Sequence, residues 1–199
     1  MAIMIHLPIL FEKLEKLPEK EGVKIANEAL RDREKLLPIW GRIMYYSTTV
    51  ENILKEHLNI KNKGAMLGRL INLFEIDCKK KRLFTKYSKL ISTLKKLNKK
   101  CRVAWSHGCL TYSLKKGKLT KHLIYTEIKR NKKNIKRKIE IGNDYFDQVA
   151  NKLYPEAIDE LMKMVDAKDS KGKPHLNRKT SFIIPVQNNN GKFNFIFVK

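Results

Sequence analysis

Arg102 and His107 place a permanent cation and a titratable imidazole five residues apart, within Arg102-Val103-Ala104-Trp105-Ser106-His107-Gly108. These two side-chain types match the needs of RNA cleavage without a metal. The reaction requires a base for the 2′-hydroxyl proton, an acid for the departing 5′-oxygen and positive charge on the phosphorane. Imidazole, with a reference pKa of about 6.5, has both protonation states accessible near neutrality. A guanidinium stays charged and can donate two parallel hydrogen bonds to phosphate oxygens. Ser106 lies four residues from Arg102, on nearly the same helical face, and can add a phosphate contact. With three gap lengths allowed, nine arginines and five histidines in this chain give about 0.7 matches by chance, so the surroundings must decide. Of the five histidines, only His107 has an arginine at that distance.

On a straight helix, residues five apart point about 140° away from each other. One copy of the pair therefore makes a poor cleft. Either the helix loosens at Gly108, or two copies pair so that each cleft receives residues from both chains. The plain structural alternative makes Arg102 a solvated cation and His107 a helix C-terminal cap. Trp105 reads as core or interface packing.

The positioning elements are mostly helical. Phe11, Leu14 and Leu17, then Ile25, Ala26, Ala29, Leu30 and Leu37, suggest one or two amphipathic helices around Pro18. After Pro38, the residues Ile39, Ile43, Tyr46, Val50, Ile53, Leu54 and Leu58 form a core-facing stripe. Asn59 to Gly64 supplies a turn, and Met66, Leu67, Leu70, Ile71, Leu73 and Phe74 restart the period. A third helix carries Tyr87, Leu90, Ile91, Leu94 and Leu97, with a period that runs on through Cys101 to His107 and a stop at Gly108.

Leu110–Leu114 and Leu119–Ile128 alternate and are β-branched, which reads as a strand-like insert. The densest basic run, Lys129–Lys138, follows it. Asn143 or Asp144 caps a last helix interrupted near Pro155 and resumed to Val165. Polar residues 166–180 read as a linker. Ser181–Val186 and Lys192–Val198 around Asn188-Asn-Asn-Gly191 give a β-hairpin with Pro185 on an edge. The expected architecture is mainly α: a helical domain over 1–168, with an extension at 1–37 and a core at 38–166, followed by a linker and hairpin over 169–199.

Forty-three Lys and Arg against twenty Asp and Glu give a net charge of +23 in 199 residues, and a pI near 9.9. Polyanions are the expected partners, RNA ahead of anionic lipid, because the cations are spread along the chain rather than collected on one long amphipathic helix. Candidate phosphate contacts from the basic runs are Lys99, Lys100, Lys132, Lys133, Lys136 and Arg137. Lys79–Arg82 and Lys115–Lys118 belong to the same pattern, and Tyr112, His122 and Tyr125 could add stacking or a second acid. Cys78, Cys101 and Cys109 are odd in number and unpaired in spacing, which suggests small buried thiols in a reduced, cytoplasmic setting. Cys101, His107 and Cys109 match no common zinc spacing, so neither metal nor cofactor is expected. The apolar opening to Phe11 is short and has no basic leader, so no signal peptide or membrane span is expected.

The order of long amphipathic helix, short connection, helix, helix with Arg-x4-His-Gly, strand-like insert and final helix resembles the HEPN superfamily over about residues 38–166. The resemblance rests on Arg102 to His107, the apolar run Leu90, Ile91, Leu94 and Leu97 before it, and Gly108 after it. Glu51-x3-Lys55 also resembles an acidic and basic pair of some branches. This likeness implies a HEPN-like helical bundle and a dimeric, metal-independent ribonuclease with Arg102 and His107 at the dimer interface. Such domains occur in toxins and defence systems, where an antitoxin or regulatory protein is a further partner. Val103 departs from the polar residue, often Asn, that usually follows the arginine. The superfamily also includes inactive RNA binders, and a protein-interaction or inhibitor module is a third reading.

Overall fold

The computed structural model describes residues 9–12, 18–61, 66–99, 108–115, 118–128, 134–142, 145–177, 182–187 and 193–198. Strand β1 (Ile9–Glu12) precedes three long helices, α1 (Glu19–His57), α2 (Leu67–Lys80) and α3 (Phe84–Leu97). Strands β2 (Gly108–Lys115), β3 (Lys118–Ile128) and β4 (Asn134–Ile141) come next, followed by the short helix α4 (Tyr145–Gln148), a π-helical turn over Val149–Leu153 and helix α5 (Tyr154–Asp166). Strands β5 (Phe182–Gln187) and β6 (Phe193–Val198) form an antiparallel hairpin of their own, with Pro185 opposite Phe195. The chain is mainly helical with a small sheet.

The apolar stripes account for the bundle. Ile43, Tyr46, Val50, Ile53 and Leu54 of α1 face Leu67, Leu70, Ile71 and Phe74 of α2, Tyr87, Leu90, Ile91, Leu94 and Leu97 of α3, and Ala157, Ile158, Leu161 and Met164 of α5 in one buried cluster. Each set recurs at three- and four-residue intervals, which leaves one face of each helix for water. The ends of α1 and α2 are closed by left-handed residues, Asn59 and Arg82. Ile60 N–H reaches the Lys55 carbonyl and Leu83 N–H the Cys78 carbonyl, six-to-one bonds that satisfy carbonyls at each helix end.

Pro38 does not divide two helices: α1 runs unbroken through it for 39 residues. Its ring and the carbonyl it deprives of a donor belong to an exposed stretch, while Leu36 and Trp40 on either side are buried and hold the helix down. In the last helical segment the wide turn before Pro155 lets the Tyr154 N–H bond the Val149 carbonyl, five residues back. Pro155 thus starts α5 where its missing donor costs little.

Two readings from the local pattern need correcting. Phe11 belongs to a strand, not a helix: β1 pairs in parallel with β2, Phe11 beside Tyr112, so a partner about a hundred residues away overrides the local spacing. The polar stretch read as a linker packs back on the bundle as far as Asn177. Leu176 is buried in the main cluster, and His175 N–H bonds the Ala167 carbonyl. Two side chains bury the segment while its other residues remain in water, so its composition looked like a linker. The expected cap at Asn143 or Asp144 lies outside the described residues.

The sheet order is β1-β2-β3-β4, with β2, β3 and β4 antiparallel. Leu110, Tyr112, Leu123, Tyr125 and Ile141 share its core face, as the two-residue period of strands requires. The insert is thus regular, and the second half of the basic run, from Asn134, is its outer strand.

Candidate nucleic-acid interface

Arg102, Ser106, His107 and Lys100 lie outside the described residues, as do Lys132 and Lys133. The chain enters this stretch from the C-terminal end of α3, where Lys99 is exposed in a terminal π-type turn, and leaves it at Gly108, the first residue of β2. Gly108 is therefore a strand residue. Its register partner is Tyr125, whose partner on β4 is Arg137. At about 4.8 Å per strand step, the backbone at Arg137 stands roughly 10 Å from that at Gly108. Lys136, opposite Thr126, occupies the next row, beyond the end of β2. Lys136, Arg137 and Lys138 are all exposed. Of the candidate phosphate contacts, the structure thus places Lys136 and Arg137 beside the exit of the Arg102 to His107 segment, and Lys99 at its entrance.

The aromatic candidates are not stacking platforms. Tyr112 and Tyr125 are buried in the core. The Tyr112 hydroxyl donates to Asp32 Oδ2 at 2.8 Å, and Lys121 Nζ bonds both oxygens of Asp32 at 2.8 and 3.0 Å. Burial first, and then the Asp32 carboxylate, push the Tyr112 phenol far above its ordinary range. This trio ties the N-terminal half of α1 to the β2–β3 hairpin. Sequence reasoning missed it because Asp32 lies 80 and 89 residues before its two partners.

Three of the histidines are built into the fold. His57 Nε2 bonds Asp77 Oδ2 at 2.9 Å, and its Nδ1 accepts the Asn177 backbone N–H at 3.0 Å. An acceptor at Nδ1 fixes the neutral tautomer with its proton on Nε2. Burial depresses the His57 pKa, outweighing the support of Asp77, while Lys81 depresses it further. His175 Nδ1 lies 2.8 Å from the Tyr87 hydroxyl, buried between α3 and the C-terminal segment. His122, also buried, has Nε2 3.0 Å from Ser113 Oγ, with Thr120 Oγ1 bonding the same serine. His122 is thus a packed sheet residue.

Glu51 and Lys55 of α1 form an ion pair at 2.7 Å, both largely buried side chains. Several lysines of the basic runs also face carboxylates: Lys79 and Lys95 bond Glu75, and Lys81 bonds Asp77. Cys78 is buried, and desolvation pushes its thiol up to about 11. Cys101 and the side chain of Cys109 lie outside the described residues. Among the described residues no group of three or more His, Cys, Asp or Glu is arranged to hold a metal ion, and no helix is long and apolar enough to cross a membrane.

No family model, curated protein or solved structure matches this chain.

Proposed function

We propose that this chain is a HEPN-like, metal-independent endoribonuclease that acts as a homodimer, with Arg102 holding the scissile phosphate and His107 moving protons. The observation that carries this reading is the fate of the three histidines among the described residues. His57, His122 and His175 are buried and hydrogen-bonded inside the fold, whereas His107 stands with its arginine on the segment joining α3 to β2. A histidine that must exchange protons with RNA has to meet solvent, and the packed three do not.

In the reaction the 2′-hydroxyl loses its proton to one imidazole as its oxygen bonds the phosphorus. The bond from phosphorus to the 5′-oxygen breaks, and that oxygen takes a proton from a second, protonated imidazole. The products are a 2′,3′-cyclic phosphate and a 5′-hydroxyl. Each copy offers one such histidine, so pairing two copies supplies both the base and the acid. Arg102 neutralises the charge that builds on the phosphorane.

The test is cleavage of end-labelled RNA in EDTA, with the product ends identified. The expected result is 2′,3′-cyclic phosphate ends that disappear in Arg102→Ala and His107→Ala. Cleavage that survives both substitutions overturns the assignment. Val103, in place of the polar residue after the arginine, favours a second reading as a non-catalytic RNA binder. That reading expects salt-sensitive binding without any cleavage.

A further inference from the structure

The N-terminal half of α1 carries a basic feature separate from the Arg102 to His107 segment. Lys20, Lys24, Arg31 and Lys35 follow one another at intervals of four, seven and four residues. At 100° per residue they fall within about 60° of arc, and at 1.5 Å per residue they extend over about 22 Å. All four are exposed, and none forms an ion pair with another described residue. This contrasts with Lys79, Lys81 and Lys95, each already facing a carboxylate.

The line of cations borders two open clefts. One, of about 420 Å³, lies between α1 and the β2–β3 hairpin, with Lys35, Tyr112, Leu119 and Lys121 in its walls. The other, of about 500 Å³, continues along α1 past Lys20, Val23, Lys24 and Asn27. Glu28 and Arg31 line both, so the two clefts adjoin beside the cations. Of the two acids of α1 that line the first cleft, Asp32 already has its charge met by Lys121 and its Oδ2 bonded by Tyr112, and Glu28 stands at the edge of the cations.

Acids confine the charge to a line. Glu28 projects about 20° beyond Lys35 around the helix, and Glu34, one turn past Leu30, about 40° before Lys20 on the other side. A narrow line suits one row of phosphates. It suits a plane of anionic headgroups poorly, because such a plane would also have to meet the exposed carboxylates Glu28 and Glu34 that flank the line on both sides.

We propose that Lys20, Lys24, Arg31 and Lys35 form a docking track for the phosphodiester backbone of an RNA strand, outside the cleavage site. The proposal rests on the RNA reading of function. It adds the surface along which the strand lies.

The test measures binding of the full-length protein to a fluorescent 20-nucleotide RNA across a salt series, by anisotropy. For single strands each phosphate contact contributes about 0.7 to the slope of log affinity against log salt. The variant Lys20→Gln/Lys24→Gln/Arg31→Gln/Lys35→Gln, whose glutamines keep helix propensity, is expected to lose about 3 from that slope, and to bind at least about tenfold more weakly at 0.1 M salt. Swapping lysine and arginine at the same positions is expected to preserve the slope, and circular dichroism melting reports that each variant is folded. A control neutralises Lys86, Lys89, Lys152 and Lys168. An equal loss in that control overturns the track in favour of bulk charge. Unchanged RNA binding in the α1 variant also overturns it, including when the variant instead loses binding to phosphatidylserine vesicles. If the wild-type chain binds no RNA at all, the functional reading fails and the track falls with it. Wild-type binding with an unaltered α1 variant refutes the track alone.

Discussion

His57 is the most informative residue to perturb, because one ring holds together three segments distant in sequence. It ends α1, bonds Asp77 on α2 and accepts the backbone of Asn177. His57→Phe keeps an aromatic ring against Phe74, whose centroid lies 5.6 Å away, and removes both hydrogen bonds. The bond to a carboxylate is worth about 1.5–3 kcal/mol, and the bond from Asn177 about 0.5–1.5 kcal/mol. Asp77 keeps Lys81 at 2.9 Å and a quarter of its side-chain surface in water, which trims the loss. The expected destabilisation is about 2–4 kcal/mol by urea unfolding, or roughly 4–16 °C in Tm for a chain of this size. Hydrogen exchange should report the cause, through lost protection at the Asn177 amide.

The same substitution fixes a pH dependence. The folded state holds the His57 pKa below the ordinary 6.5, chiefly through burial. Below that value the unfolded chain takes up a proton that the folded chain resists. His57 therefore contributes its full stabilisation above about pH 6.5 and loses it as pH falls toward and through the folded value, at up to about 1.4 kcal/mol per pH unit. Asp77, whose pKa is lowered because its bonds to Lys81 and His57 outweigh burial, stays ionised through this window. Wild type is expected to lose more stability than His57→Phe between pH 7.5 and 5.5, contributions common to the two proteins cancelling in the comparison. A variant within about 0.5 kcal/mol of wild type, or parallel pH profiles for the two proteins, would refute the reasoning.

Two further expectations probe the packing. Leu176 is fully buried, so Leu176→Ala should cost about 2–5 kcal/mol in urea unfolding, whereas a true linker residue would change stability by less than about 0.5 kcal/mol. Cys78, with its thiol pushed up to about 11 inside the bundle, should resist a thiol reagent at pH 8 in a Cys101→Ser/Cys109→Ser background and react only as urea unfolds the chain. Rapid labelling in native buffer would show that the bundle does not cover it.

The helical bundle was legible in the sequence because its information is local. Tyr87, Leu90, Ile91, Leu94 and Leu97 announce a buried face by spacing, and α3 buries all five. Asn59 likewise marked the turn that ends α1. What escaped depends on partners far along the chain. β1 exists because of β2, and the burial of His175 and Leu176 depends on Tyr87 and on core residues contributed by the whole bundle. β4 had a signal that its charge obscured. Ile135, Ile139 and Ile141 share one face of the strand, interrupted only by Arg137, while Lys136, Lys138 and Glu140 occupy the other. As for the site, the spacing of Arg102 and His107 was visible at once, but nothing local could reveal that His57, His122 and His175 are occupied inside the fold.

Basic residues counted along a chain differ from basic residues available to a polyanion. The run Lys79–Arg82 is dense in sequence, yet Lys79 shares Glu75 with Lys95 from the neighbouring helix and Lys81 faces Asp77, so a phosphate arriving there meets two carboxylates as well. Such exposed pairs hold only weakly, but the acids remain fixed beside the approaching anion. The first half of α1 reads as neutral, since five cations alternate with five acids between Glu19 and Leu37. Folding separates them. Asp32 turns toward Tyr112 and Lys121, and Lys20, Lys24, Arg31 and Lys35 come into line on an open face. In this chain, therefore, the positive surface open to a polyanion is set by where the acids are held, and on the element with no net charge the proposed track runs between Glu28 and Glu34.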